Sequence, residues 1–258
     1  MKKKAILISG SSGFIGTELR SQLEKKQDLK YSTLRVDRNK LSKFNKTQYD
    51  EIYLIHLAGV FSLNSKDDDK LYNANISFGR ELLENIELNK LKNIIYTNSI
   101  YSLDEEYKNY FYTKSKNSFT KIINSYKQQY SFNVQELFVD STFGFNDSRG
   151  KLIESIIKSY KSDKPLKIEF PDKYIGLINV VDLVNYILEN IERNASSKVL
   201  ISSKYLYEIG SINEFVKSNN KISSIKKRIN SKKFKEPSLK VVKLDSKLEN
   251  FINIELGR

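Results

Sequence analysis

The sequence predicts an α/β fold, with a parallel sheet wound by helices on both faces and a smaller region closing the chain. Three observations carry this reading. Short, continuous apolar runs recur through the first part of the chain, each of a length suited to a buried parallel strand. Segments of helical periodicity separate them. The first run opens at once into a glycine-spaced turn and then a helix.

The elements follow in order. Ala5–Ser9 (AILIS) reads as the first strand, Gly10-Ser-Ser-Gly13-Phe-Ile-Gly16 as the turn, and the pattern through Leu19 and Leu23 as a helix. Strand, glycine loop and helix give the glycines physical work: a turn without a Cβ, close approach of backbone N–H groups to a pyrophosphate, and tight helix–strand packing. Ser32–Asp37 (STLRVD) is the second strand and ends in an acid 21 positions after Gly16. A carboxylate there can accept hydrogen bonds from an adenosine ribose, which favours NAD. Arg38 follows directly and could instead pair with a 2′-phosphate, so NADP stays open. The third strand, Ile52–Ala58, carries His56 at the end where open parallel sheets bind ligands; His56 is read as a packing residue. A helix is expected over 75–88. Asn93–Ser99 (NIIYTNS) is a further strand that delivers a hydroxyl at its C-terminal end, either Ser99 or Thr97, which share a face.

Residues 110–117, YFYTKSKN, hold the spacing Tyr-x-x-x-Lys twice, and Tyr160 with Lys164 holds it a third time. Roughly two or three such pairs arise by chance at this Tyr and Lys content, so spacing alone decides nothing. Helical periodicity over about 108–129 does decide. At 100° per residue, Tyr112, Lys116, Phe119, Ile123 and Tyr126 fall on one apolar stripe, and Tyr110, Lys114, Asn117, Lys121 and Ser125 fall opposite. A helix covering a sheet turns its apolar stripe inward, which aims Tyr112 and Lys116 at the sheet.

Composition narrows the chemistry. With no cysteine and one histidine among 258 residues, thiolate and multi-histidine metal sites and a Ser-His triad are excluded. The formal net charge of +13 is spread along the chain, densest at Lys226–Lys235, and reads as a solvated basic surface rather than a nucleic-acid patch. No apolar run reaches the roughly 18 residues of a membrane span. Met-Lys-Lys-Lys leads into an apolar run too brief for a signal peptide, so a soluble cytoplasmic protein is expected, with no nucleic acid and no membrane among its partners.

Taken jointly, Gly10-x-x-Gly13-x-x-Gly16, His56-Leu-Ala-Gly59, the serine-ended strand and Tyr112-Thr-Lys-Ser-Lys116 resemble the extended short-chain dehydrogenase/reductases, in particular their nucleotide-sugar epimerase, dehydratase and reductase branch. The likeness continues through Leu137–Phe145, Tyr174–Leu183 and Leu244–Leu256. It implies a Rossmann-type doubly wound parallel sheet over residues 1–165 as the dinucleotide-binding domain, and a smaller C-terminal substrate-binding region over 166–258. It implies Tyr112 as general acid or base, its phenol made more acidic by the Lys116 ammonium, with Ser99 binding the substrate oxygen and Lys116 also holding the nicotinamide ribose. Cofactor contacts are implied for Gly10, Ser12, Gly13, Phe14, Ile15, Gly16, Asp37, Arg38, Leu57, Ala58, Tyr112 and Lys116. Homodimers form in this family through the helices placed here at 75–88 and 108–129.

The sequence also departs from the family. Only 18 residues separate Asp37 from His56, which shortens the segment that helps seat adenine. The turn from Ser99 to Tyr101 is about two residues short, keeping Thr97 as a rival hydroxyl. Asn98-Ser99 stands where sugar dehydratases carry two acids, which disfavours dehydration. Ile175 replaces an arginine that often grips the substrate diphosphate, with Lys173 nearby as a substitute. The expected activity is NAD(P)-dependent reduction of a nucleotide-linked 4-keto sugar for surface polysaccharide synthesis. The alternatives are a nucleotide-sugar 4-epimerase using the same residues and a cofactor-binding sensor or scaffold without catalysis.

Overall fold

A computed structural model describes residues 2–26, 30–44, 48–218 and 224–257. In chain order the strands and α-helices are β1 (Lys4–Ser9), α1 (Phe14–Lys25), β2 (Tyr31–Val36), β3 (Glu51–His56), α2 (Asp68–Tyr72), α3 (Phe78–Glu84), β4 (Leu91–Ser99), α4 (Phe111–Lys127), β5 (Asn133–Val139), β6 (Ser141–Phe143), α5 (Leu152–Lys161), β7 (Tyr174–Asn179), α6 (Val180–Glu189), β8 (Ser197–Ser203), β9 (Tyr205–Glu208), α7 (Ile209–Lys217), β10 (Lys227–Ile229), β11 (Leu239–Leu244) and α8 (Leu248–Glu255). A seven-stranded sheet runs in the order β11-β8-β5-β4-β3-β1-β2. The pairs β1/β2, β1/β3, β3/β4 and β4/β5 are parallel. This is the doubly wound Rossmann-type α/β fold that the sequence predicts.

Burial explains each strand's composition. β1 and β3 lie inside the sheet and are buried along nearly their whole length, so both are continuous apolar runs. β2 is the edge strand and exposes Ser32, Thr33 and Arg35. In the usual dinucleotide-binding order another strand lies beyond this one. Here, after Asp37, the chain makes a 3₁₀ turn over Arg38–Phe44 and returns to β3, and among the described residues no strand pairs outside β2. The strand order reverses between β1 and β3, which places a ligand crevice at their carboxyl ends.

Two helices differ from expectation. The helix expected over 75–88 begins earlier, as α2, passes through a π-helical turn at Asn73–Ser77, and continues as α3. It stops at Glu84 because Asn85 leaves helical geometry, and the Asn85 side chain donates to the Glu81 carbonyl at 2.8 Å. The helix expected over 108–129 starts at Phe111, after Tyr110 in extended conformation, and ends at Lys127. Its inward stripe is as read: Tyr112, Phe119 and Ile123 are buried, whereas Tyr110, Lys114, Asn117, Lys121 and Ser125 are exposed. Gly79 of α3 lets α4 come close, since a Cβ there would sit 2.3 Å from the Phe119 ring.

The chain forms two compact units that interleave in sequence. One comprises Met1–Val139, Val184–Leu200 and Phe234–Lys240, the other Asp140–Leu183, Ile201–Lys233 and Val241–Arg258. The chain crosses between these units several times. The second unit contains a four-stranded sheet in the order β10-β9-β7-β6 and an apolar cluster that includes Phe143, Ile156, Tyr207, Phe215 and Phe251. No helix of the described residues is long and apolar enough to cross a membrane.

Candidate active site

The glycine turn is built by close backbone packing. Gly10 has φ of 70°, and a Cβ there would lie 2.4 Å from the Ala58 nitrogen and 2.6 Å from the Leu57 carbonyl carbon. A Cβ on Gly16 would lie 2.1 Å from the Gly10 oxygen. These two glycines therefore bring the turn against the end of β3 and against the first turn of α1, and the space they leave is filled by protein. Gly13 is the residue before α1 and carries no side chain over the helix N-terminus, where N–H groups and the helix dipole favour an anion. A cavity of about 630 Å³ opens beside the turn, lined in part by Gly10, Ser12, Asp37, Arg38, Ala58 and Gly59. Gly13, Phe14, Ile15, Gly16 and Leu57, also expected at the cofactor, shape the turn without lining this cavity.

Arg38 is held away from a purely ligand-binding role. It donates to the Asn73 carbonyl at 2.7 Å, lies 3.2 Å from the Glu81 carboxylate and sits 5.4 Å above the Phe78 ring. His56 is buried with its Nδ1 2.6 Å from the Ser9 hydroxyl and its ring 4.7 Å from that of Phe119. Burial, with the nearby Lys116, lowers its pKa to about 3, so it stays neutral as a packing residue.

Past β3 the chain is fastened by a residue that the sequence alone does not single out. Asn75, 2% exposed in the π turn, accepts from the Val60 N–H at 2.8 Å and donates to the Val60 carbonyl at 3.0 Å and to the Ser115 hydroxyl at 3.0 Å. The wider π turn is a common device for aiming one such side chain out of the helical ladder. Its only sequence signal is a polar residue amid Ala74 and Ile76 on a helix otherwise read for periodicity.

Lys116 and Tyr112 arrive from α4, one turn apart. The Lys116 ammonium donates to the Thr97 carbonyl at 3.0 Å, and a Cβ on Gly59 would come within 2.9 Å of its Nζ. Gly59 lines the glycine-turn cavity, so cavity and lysine meet there. Burial lowers the Lys116 pKa to about 8. Tyr112 is 8% exposed, and Phe61 approaches it edge to face at 4.9 Å. Its phenol is pushed up to about 12 by burial, with a hydrogen bond to Ser99 acting the other way. The resemblance implies a more acidic phenol; here desolvation outweighs every other influence, because a buried phenolate loses its hydration. Ser99 is thus a hydroxyl that acts on the phenol, and the Thr97 backbone carbonyl takes the Lys116 ammonium. The rival Tyr110 and Lys114 lie on the exposed face.

The fold and the glycine turn are those of a dinucleotide-binding α/β protein. The profile of the NAD dependent epimerase/dehydratase family matches residues 6–202, and the chain belongs to that family. It is 22% identical over 244 residues to the CDP-abequose synthase of Salmonella muenchen, covering 86% of this chain and 82% of that one. Among solved structures it is similar to RMD from Pseudomonas aeruginosa complexed with NADPH, with a TM-score of 0.70 and 16% identity over 95% of this chain and 88% of that one. It is also similar to the Thermus thermophilus UDP-glucose 4-epimerase complexed with NAD, with a TM-score of 0.73 and 13% identity over 98% of both chains. At these identities the structures share the fold.

Proposed function

We propose that this chain reduces a nucleotide-linked 4-keto sugar, with hydride from NADH or NADPH and a proton from Tyr112. What supports the reading is that Ser99 acts on the Tyr112 phenol while Lys116, one helical turn on, holds the Thr97 carbonyl and reaches Gly59, which lines the cavity at the glycine turn. That cavity suits a dinucleotide: Gly10 and Ser12 of the turn that leads into α1 line it, and Asp37 supplies an acid at the end of β2. Family membership and the resemblance to a CDP-abequose synthase support a sugar nucleotide as substrate.

When bound, the reduced dinucleotide supplies hydride to the carbonyl carbon. Tyr112, protonated at neutral pH because burial raises its pKa to about 12, donates its proton to the carbonyl oxygen as charge develops there. Ser99 donates a second hydrogen bond to that oxygen, and such preorganised donors lower the barrier where charge appears. Lys116, anchored on the Thr97 carbonyl, stabilises the tyrosinate that results and keeps further N–H donors for ribose hydroxyls.

The test is to follow absorbance of reduced cofactor with the purified protein and a panel of keto-sugar nucleotides, alongside UDP-glucose. Net consumption of cofactor supports the reductase. Interconversion of UDP-glucose and its C4 epimer without consumption assigns a 4-epimerase instead. Cofactor binding without turnover of any compound assigns a sensor or scaffold.

A further inference from the structure

β5 carries a buried carboxylate that the proposed chemistry does not use. Glu136 is 4% exposed, and its Oε1 accepts from Asn98 Nδ2 at 2.6 Å and from the Thr120 hydroxyl at 2.8 Å. Those partners lie on the two elements that bear the proposed catalytic groups. Asn98 immediately precedes Ser99 at the end of β4, and Thr120 lies one turn beyond Lys116 on α4. Thr120 also accepts from the Tyr96 hydroxyl at 2.9 Å, which ties α4 to β4 a second time.

Because Glu136 Oε1 accepts from both partners, it fixes which way the Asn98 amide faces. With Nδ2 toward Glu136, the Asn98 oxygen accepts from the Ser99 N–H at 2.7 Å and from the Ser102 hydroxyl at 2.7 Å. Turned over, the amide would set acceptor against acceptor at Glu136 and donor against donor at the Ser99 N–H. The two bonds close the 3₁₀ turn Ile100–Leu103, in which the Tyr101 N–H donates to Ser99 Oγ at 3.3 Å. The Asn98 side chain thus supplies bonds that hold this turn. A buried carboxylate costs more than an apolar residue of similar volume unless its geometry fixes something.

We propose that Glu136 is a positioning residue: by orienting Asn98 and holding α4 in register with β4, it sets the Ser99 hydroxyl against the Tyr112 phenol. The proposal rests on the assignment of Ser99 and Tyr112 made above. It is tested by NMR on the full chain with its tyrosines labelled with ¹³C at Cζ, the Tyr112 resonance being identified by its loss in Tyr112→Phe. Ser99→Ala is the reference and moves that resonance by removing the hydrogen bond. Glu136→Leu moves it in the same direction, whereas Glu136→Gln, which keeps the Oε1 acceptor, leaves it near the wild-type position. In the cofactor assay Glu136→Leu lowers kcat by about 10²-fold with KM for NADH unchanged, the cost of a misplacement on the order of an ångström. A Tyr112 resonance unmoved in folded Glu136→Leu, while Ser99→Ala moves it, overturns the positioning role. A resonance unmoved in Ser99→Ala overturns the contact beneath it. Should Glu136→Leu not fold, Asn98→Asp alone and combined with Glu136→Gln decides. The single change sets two carboxylates face to face and shifts the resonance. The exchanged pair sets an amide N–H at position 136 against a carboxylate at position 98, with the Thr120 hydroxyl turned to the Lys116 carbonyl 3.4 Å away, and returns the resonance; a pair that leaves it shifted overturns the proposal.

Discussion

Replacing Lys116 by methionine should make this protein more stable at neutral pH while removing its catalytic function. Burial lowers the Lys116 pKa from 10.5 to about 8. The folded form therefore releases this proton more readily than the unfolded chain does. Between pH 8 and 10.5 the unfolded state binds more protons, so stability rises with pH across that window; below pH 8 both states are charged and the folded state bears the full cost. A shift of this size is worth about 3 kcal/mol at about 1.36 kcal/mol per unit. Methionine fills nearly the same volume and removes that cost, but leaves the Thr97 carbonyl without its partner, which takes back about 1 kcal/mol. The net gain at pH 7 is about 2 kcal/mol, or about 4–8 °C in Tm at this chain length. Urea unfolding of wild type and Lys116→Met at pH 7, 8, 9 and 10 measures it. The two curves should be furthest apart at pH 7 and converge as pH rises. Equal stability at pH 7 with parallel pH dependence would refute the reasoning, since the ammonium would then be as well solvated folded as unfolded.

Three further outcomes follow from the same geometry. Tyr112→Phe should reduce turnover by about 10²–10⁴-fold, the usual worth of a positioned proton donor, while a fluorescence titration finds NADH binding intact. Gly16→Ala should abolish cofactor binding and cost about 1–3 kcal/mol of stability, because the added methyl meets the Gly10 carbonyl at 2.1 Å and neither backbone can retreat; binding at wild-type affinity would contradict the packed turn. Asp37→Ala should weaken NADH more than NADPH, as read by the ratio of their dissociation constants, since it removes a ribose acceptor while Arg38 stays held by Glu81.

Much of the site was legible because periodicity and local chemistry agree in it. Tyr112 could be separated from Tyr110 by their angular positions on one helix, and burial follows that division. The glycine turn, the acid after β2 and the hydroxyl ending β4 each lie on the element that their neighbours in sequence imply. Asn75, Asn98 and Glu136 were not legible in the same way. Each is a polar residue inside an apolar pattern, and its meaning comes from partners 15 to 40 positions distant.

The sequence by itself determined the fold, the helix face that meets the sheet, and which tyrosine and lysine share it, because these depend on periods of two and of about 3.6 residues that the chain carries locally. Only the tertiary structure decided that burial raises the pKa of the phenol, that Lys116 rests on the Thr97 carbonyl, and that Arg38 is tied to Glu81. Hydrogen-bond partners and desolvation depend on what other segments bring to the same point, and no local pattern records that.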